Sequence, residues 1–547
     1  MSLNVVELRN FTGGLNLRAD AFQLASNETS DLLNVEIDPR GGFFSRGGFQ
    51  QVNTTPISGT WAPQRMHKFE TLDGSHYALL STLTKAYAST GADFTEVKIG
   101  ASTSITVTSD YGPCFTDWGD EAYIATGRTS QACKWIGGNT SSVYATTLTA
   151  SQAGQWQDNY ASPTGTHMPR SKFIETHGDV MWVANLNEGS TAYPNRIRWS
   201  HTFKPESWAE LDYIDIDAGG SQILGIVSIK GHLLVLKESG IYAIFGYSRE
   251  TYQVVTVSES IGVANPNAFA KADLGVYFFD YPNGMFFYNG TTVKDVFASL
   301  RPMITNMLLS EYAIPTVQVS WVNRRVWLSV PYDPAQSATK PTVNYVYDSS
   351  IGVDGAWTKI NTADGYGLVA GMDWSDSNDA KFPIMAHPNV AYVVTVDNYD
   401  VAYDTIISST PAPFVSFYVT RWFDGDSFAS KKMWKRPEFV CRAPSADANL
   451  TIDYYKDFNS GTSKGTFPLA LTNPSAGLTW RATTTEPDAY NGWNQANWSQ
   501  AGAASLVIKG RNLGIANSVQ LKVSGPSSVV WAVNSILFKF NPRPVRS

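Results

Sequence analysis

Seven histidines are the first residues to test for chemistry: His67, His76, His167, His177, His201, His232 and His387. A zinc site or a general base needs histidine grouped with Cys, Asp or Glu at short spacing. These seven stand singly, at turns or strand starts, and read as surface or packing residues. Cys114, Cys133 and Cys441 form no CxxC pair, and an odd count is a poor disulfide framework. No GxxxxGK[ST], HExxH or helix-opening GxGxxG occurs.

Two acidic runs carry oxygen ligands. DIDAGG (Asp215 to Gly220) begins like a calcium loop, but glycine stands at the fifth position and Ile226 at the twelfth, where a bidentate Glu is required. DWSDSND (Asp373 to Asp379) reads as a solvated loop. SSIGVDGAWTK (Ser349 to Lys359) is near the Asp-Gly-Trp turn of sialidase-like propellers, but its spacing differs and it does not repeat. It reads as a hairpin turn packing Trp357. Glycan cleavage also needs paired carboxylates at a set separation. The expectation is a protein with no catalytic, cofactor-binding or metal-binding residue, not an enzyme and needing no cofactor.

The elements that carry these residues are short strands. Aromatics make up 13% of the 547 residues and charged residues 16%, and there are 43 Gly and 27 Pro. That balance favours strands joined by many turns. The net charge of −7 excludes a tight grip on phosphate backbones, which takes a dense basic surface. The strongest basic cluster, KKMWKR (Lys431 to Arg436), reads as a solvated strand end. MSLNVVELRN shows no apolar leader, and no run reaches the ~18 apolar residues of a membrane span. Synthesis in a reducing cytoplasm is expected.

One pattern recurs: a Gly- or Asn-bearing turn, a strand of large apolar residues, a second turn, and a strand with Tyr or Trp. It opens at residues 74, 119, 178, 231, 275, 324 and 389, with a mean step of about 52. Repeats of roughly this length with strand content point to a β-propeller of about four strands per blade. Seven copies predict about seven blades, with six to eight accepted, over residues 56–415. From 416 to 547 the strands alternate without that period, which predicts a C-terminal antiparallel β-sandwich. The tail FNPRPVRS reads as extended. RPMITNMLLSEY (Arg301 to Tyr312) and SNETSDLLN (Ser26 to Asn34) are the two helix candidates.

Residues 1–55 form a third segment, an N-terminal arm. Its core is NETSDLLNVEIDPRGGFFSRGGF (Asn27 to Phe49), which holds two double glycines and three phenylalanines. The stretch reads as strand, turn at Pro39 to Gly42, returning strand at Phe43 to Arg46, and an exit at Gly47-Gly48 whose backbone favours glycine. Two roles are open: a hairpin packed on its own propeller, or an arm that anchors a neighbouring chain.

GGLNLRADAFQLASNETSDLLNVEIDPRGGFFSRGGF (Gly13 to Phe49) resembles the start of the tail nozzle proteins of short-tailed bacteriophages, also called tail tubular protein B or head-stabilising tail protein. The likeness continues in NRIRWSHTFKPESWAELDYIDIDAGGSQILGIVSIKGHLLVLKESGIYAIFG (Asn195 to Gly246). It continues again in LGVYFFDYPNGMFFYNG from Leu274 and in the KRPEFV strand from Lys435. The order of the segments carries the resemblance more than any one of them. It implies a structural virion protein of the tail, forming a homo-oligomeric ring, usually of six chains, below the portal and adaptor. Tail fibres or a tail needle are further partners on that reading. Genomic DNA would leave the head through the ring without specific binding. An acidic, aromatic-rich chain suits a DNA conduit with large subunit interfaces. The alternative is a propeller-type tail component that binds or cleaves host glycans.

Overall fold

The computed structural model describes every residue except 1–2, 21–22, 92, 100–102, 139–143, 148–167, 218–219, 306–315, 332–339, 376–380, 408–409, 428, 474–504 and 544–547. Among the described residues every regular element is a strand, save one 3-10 turn at Arg301–Thr305. The chain forms two compact units. One is Gln50–Asn344 with Gly365–Val396; the other is Met1–Phe49 with Tyr345–Asp364 and Asp397–Ser547.

Seven blade sheets follow in chain order. Their first strands are Pro63–Glu70, Cys114–Trp118, Arg170–His177, Ile223–Ile229, Phe269–Ala272, Gln318–Val322 and Val369–Ser375. Successive first strands are neighbours, and Val369–Ser375 returns beside Pro63–Glu70. Between the fourth and fifth, Gly225 leaves room for the Phe269 ring, which a Cβ would meet at 2.5 Å. The result is a closed seven-bladed β-propeller. Six sheets have four strands; the second adds Lys98–Ile99 and Thr103–Ser104 at its edge.

Apolar residues on both faces of each sheet explain the radial stacking. Phe69, Leu79, Phe115, Ile124 and Trp135 fill the seam between the first two blades. Met181, Val183 and Trp208 fill the next with Tyr123 and Ala125. Trp182 and Trp199 meet Ile226, Leu233 and Val235 in the third. Leu80 and Tyr87 meet Met372, Trp374 and Ile384 where the last blade joins the first.

The sequence pattern locates the first turn of six blades. Residues 74, 119, 178, 231, 275 and 324 all fall at the junction of a first and a second strand. Residue 389 falls one hairpin later, between Lys381–Ala386 and Val393–Asn398, which explains the long final step. The seventh sheet takes its fourth strand from the N-terminal segment, Gly48–Gln51.

The second unit holds the β-sandwich. One sheet runs Ser505–Lys509, Glu438–Arg442, Ala532–Pro542, Lys432–Trp434, Gly514–Ala516. The other runs Asp31–Leu33, Ser416–Val419, Val519–Gly525, Ala448–Lys456, Gly465–Leu471. Phe43 of the first stacks on Tyr418 of the second at 4.3 Å, with Phe11 and Trp531 edge-on to Phe43.

The N-terminal segment is an extension woven into these sheets. Val35–Ile37 and Phe43–Ser45 form the expected hairpin, and Phe43–Ser45 then pairs with Ala532–Pro542. Phe43 completes the sandwich core, while Ile37 packs with Ile351 and Ala356. Asn4–Leu8 pairs along the same long strand. Ser26 to Asn34 is not helical: it contains the strands Glu28–Thr29 and Asp31–Leu33, whose sheet partners override the local start signal. Of Arg301 to Tyr312, only the 3-10 turn lies within the described residues.

The exit glycines are needed for close approach and not for a left-handed backbone. A Cβ on Gly47 would lie 2.4 Å from the Asn398 carbonyl oxygen, and one on Gly48 2.1 Å from that of Tyr403. Between them and the hairpin sits Arg46, fully buried. Its guanidinium forms a two-point ion pair with Asp404 at 2.8 Å per contact, donates to Asn34 Oδ1, Gly47 O and Asn361 O, and lies between the Phe49 and Phe414 rings. Asp404 also accepts from the Phe49 and Ala363 amides, so neither charge is left short of partners.

Candidate functional site

The first strands of the seven blades line a central cavity of about 490 Å³. Its wall carries Arg65 and His67 from the first blade, Asp117 from the second, Glu175 from the third and Lys271 from the fifth.

At one level the cavity is crossed by side chains. Arg65 donates from Nε (3.2 Å) and Nη2 (2.8 Å) to Asn267 Oδ1, and from Nη2 to the Pro266 carbonyl. Asn267 Nδ2 donates back to Gln64 Oε1 at 2.7 Å. Gln318 donates to the Pro63 carbonyl and accepts from the Ala370 amide. These bonds tie the first blade to the fifth and sixth, and the sixth to the seventh. They account for the polar side chains on strands that elsewhere bury apolar residues.

Two residues beyond Arg65 on the first blade's strand, a second, charged level begins. His67 Nε2 is 2.8 Å from Asp117 Oδ1. Glu175 Oε1 accepts the Ser228 amide at 3.1 Å, and His177 Nδ1 is 2.9 Å from Ser228 Oγ. Burial pushes the Glu175 carboxyl up to about 7, against the opposing pull of Lys271 and His67, with Asp117 adding to the rise. Burial also lowers His177.

Because Glu175 is raised, the folded chain keeps a proton that the unfolded chain releases above its ordinary value of 4.5. Its contribution to stability is complete below that value and is lost as the pH rises through about 7. Glu175→Gln is expected to flatten the fall in melting temperature across the range from that ordinary value to just above about 7. Asp280, pushed up to about 6 by burial, leaves a residual slope of the same sign. An unchanged slope in the variant would mean that Glu175 titrates normally.

The other residues singled out in the sequence have structural partners. Asp215 accepts two bonds of 2.7 Å from Arg196, whose guanidinium lies over Tyr193 and Tyr213. Lys237 Nζ occupies the same loop, bonded to Ile216 O, Asp217 O and Asp217 Oδ2. With two cations in place, millimolar calcium or EGTA is expected to shift the melting temperature by less than about 1 °C. A rise with calcium alone would show a cation site there. In Asp373 to Asp379, Asp373 accepts the Asn323 amide at 2.7 Å, and residues 376–379 lie outside the described residues. Ser349 to Lys359 contains the expected turn, and Trp357 is buried.

The basic cluster at Lys431 to Arg436 is only partly solvated. Lys432 is 1% exposed; its ammonium donates to the Ser427 and Asn517 carbonyls, and burial lowers its pKa. The strand Lys432–Trp434 lies inside the sheet beside Ala532–Pro542, so its alternate residues point inward. No group of three or more His, Cys, Asp or Glu able to hold a metal occurs among the described residues. His232 is buried against Tyr288, whose hydroxyl is 3.1 Å from Nε2, and His76 meets Glu70. His167 lies outside the described residues. All three cysteines are free thiols, and burial pushes that of Cys441 up to about 12.

Sequence reasoning passed over Arg65, Glu175 and Lys271. Their only signal is a charged residue on the strand just before each blade's first turn.

No family model matches the chain, and no curated protein matches it. Solved structures do. The WD40 domain of Neurospora crassa Pan2 is similar at 10% identity and a TM-score of 0.37, over 66% of this chain and 97% of that one. YCF48 from Cyanidioschyzon merolae is similar at 10% identity and a TM-score of 0.37, over 64% and 98%. The extracellular domain of the one-component system BT4673 from B. thetaiotaomicron is similar at 11% identity and a TM-score of 0.40, over 82% and 58%.

Proposed function

We propose that this β-propeller protein is a structural, non-enzymatic subunit of the tail nozzle of a short-tailed bacteriophage. In this reading several copies form a ring below the portal and adaptor, and the genome leaves through the lumen between them. The observation that carries the reading is the order of the nozzle-like segments along the chain, each on an element that builds sheets. Gly13 to Phe49 supplies strands to the sandwich, and Lys435 to Val440 leads into the strand Glu438–Arg442 within it. Asn195 to Gly246 runs from the third strand of one blade to the third of the next.

The propeller's own cavity is not the conduit in this proposal. Arg65, Asn267 and Gln64 hydrogen-bond across it. The duplex therefore needs a wider passage formed by several copies. A net charge of −7 suits a passage that does not hold phosphate.

The test is immunogold labelling of intact particles of the virus that encodes the chain. Label at the tail tip is the expected result. Label on lateral fibres or spikes would overturn it in favour of a glycan-binding component, and particles without label would remove the virion reading.

A further inference from the structure

We propose that the propeller cavity is a binding site for a small oxyanion, a phosphate or a carboxylate, held between Arg65 and Lys271. The site does not depend on the tail assignment; it follows from how the charges in the cavity are partnered.

Two cations line the cavity, and among the described residues neither makes a hydrogen bond or ion pair with a carboxylate; Lys271, exposed to solvent, acts on Glu175 only through its field. The Lys271 side chain makes no hydrogen bond or ion pair among the described residues. Arg65 spends Nε and Nη2 on the neutral Asn267 amide and the Pro266 carbonyl, which leaves Nη1 without a partner among them. A guanidinium has five N–H donors, and neutral acceptors leave its charge uncompensated. The two carboxylates on the same wall are otherwise engaged. Asp117 is bonded to His67. Glu175 accepts a backbone amide and lies in the field of Lys271, His67 and Asp117.

The two levels give the site its form. Arg65 stands two residues before His67 on the strand Pro63–Glu70, and Asn267 lies in the turn before the strand Phe269–Ala272, which carries Lys271. At a rise of about 3.3 Å per residue, Arg65 and His67 are roughly 7 Å apart along their strand. The Arg65–Asn267–Gln64 hydrogen bonds join the first and fifth blades at the cavity wall. His67, Asp117, Glu175 and Lys271 line the same cavity. An anion there is offered Arg65 Nη1 and the Lys271 ammonium, both on the cavity wall. Glu175 is compatible with such a guest because its protonated carboxyl is a donor. A volume of about 490 Å³ admits phosphate or a tricarboxylate.

The test uses the full chain. Calorimetry and thermal melts are run in mildly acidic buffer, where the Glu175 carboxyl keeps its proton, with sodium phosphate and separately with sodium citrate, against sodium chloride of equal ionic strength. Saturable binding of at least one anion is expected, and the tighter of the two identifies the ligand chemistry. Lys271→Gln removes no described side-chain bond, so it is expected to melt as the parent does while losing about tenfold in affinity, the effect of one charge-assisted contact. Lys464→Gln, in the sandwich unit, is expected to leave binding unchanged. Failure of both anions to bind overturns the proposal. So does binding that Lys271→Gln leaves intact, since the anion would then sit elsewhere.

Discussion

Arg46→Ala is expected to lower the unfolding free energy by about 3–5 kcal/mol, the cost of leaving a buried charge without its partner. The Arg46 and Asp404 side chains are both essentially inaccessible to water, so nothing replaces the guanidinium once it is gone. Asp404 keeps the Phe49 and Ala363 amides, which limits the loss without cancelling it. Arg46→Lys is expected to recover little. A lysine ammonium is a point charge that cannot bond both carboxylate oxygens in one plane while lying flat between Phe49 and Phe414. Equilibrium urea unfolding measures the loss. The control is Arg46→Met with Asp404→Leu. Removing both charges together is expected to restore much of the stability, because the penalty belongs to the unpaired ion. A loss below about 1 kcal/mol in Arg46→Ala would mean that the pair is open to water.

Trp182→Ala is expected to cost about 3–5 kcal/mol, the range for truncating a fully packed aromatic. Trp182 is 1% exposed, between Trp199 at 5.3 Å and Tyr252 at 4.9 Å. Its indole N–H donates to the His177 carbonyl at 3.2 Å. The two other rings also touch each other, at 5.1 Å, so the pocket cannot collapse without moving a second blade. Trp182→Phe is expected to fall between the two, since it keeps the ring contacts and gives up volume and the hydrogen bond. The readout is chemical denaturation followed by tryptophan fluorescence. Equal stability in Trp182→Ala and the parent would contradict tight packing of this seam.

Much of the propeller was legible because its signal is local. Gly74, Gly119, Gly178 and Gly231 all have positive φ, and a β-carbon at any of them would meet nothing within 4 Å. Hairpin geometry alone therefore dictates these glycines, and a local rule repeats visibly in sequence. Asn323 and Arg324 take the same conformation without glycine, which makes that copy fainter. The last blade was misplaced by one hairpin because residues 389 to 392 also satisfy a turn rule. What the sequence concealed is long-range. The strand Asp31–Leu33 passes for a helix start until Ser416–Val419 is known to lie beside it. Lys432 looks solvated until its sheet neighbours on both sides are known. The cavity charges were illegible for a related reason. Arg65, Glu175 and Lys271 lie far apart in sequence, and only ring closure gives them a shared space.

The strand Gly48–Gln51 also has a consequence in time. It belongs to the seventh sheet, beside Val393–Asn398, so the first blade strand to leave the ribosome is among the last to find its place. About 340 residues separate the two partners. At about 5–20 residues per second, the early strand waits roughly 20 to 70 s before its neighbour exists. Closing a loop of that length costs entropy before any contact compensates, and such topologies fold slowly. Through that interval an uncharged stretch, Gly47-Gly48-Phe49-Gln50-Gln51, stands without its sheet. The ring's final seam is therefore also its exposure to misassembly, and a nascent chain is safest when something else holds that strand until the last blade arrives.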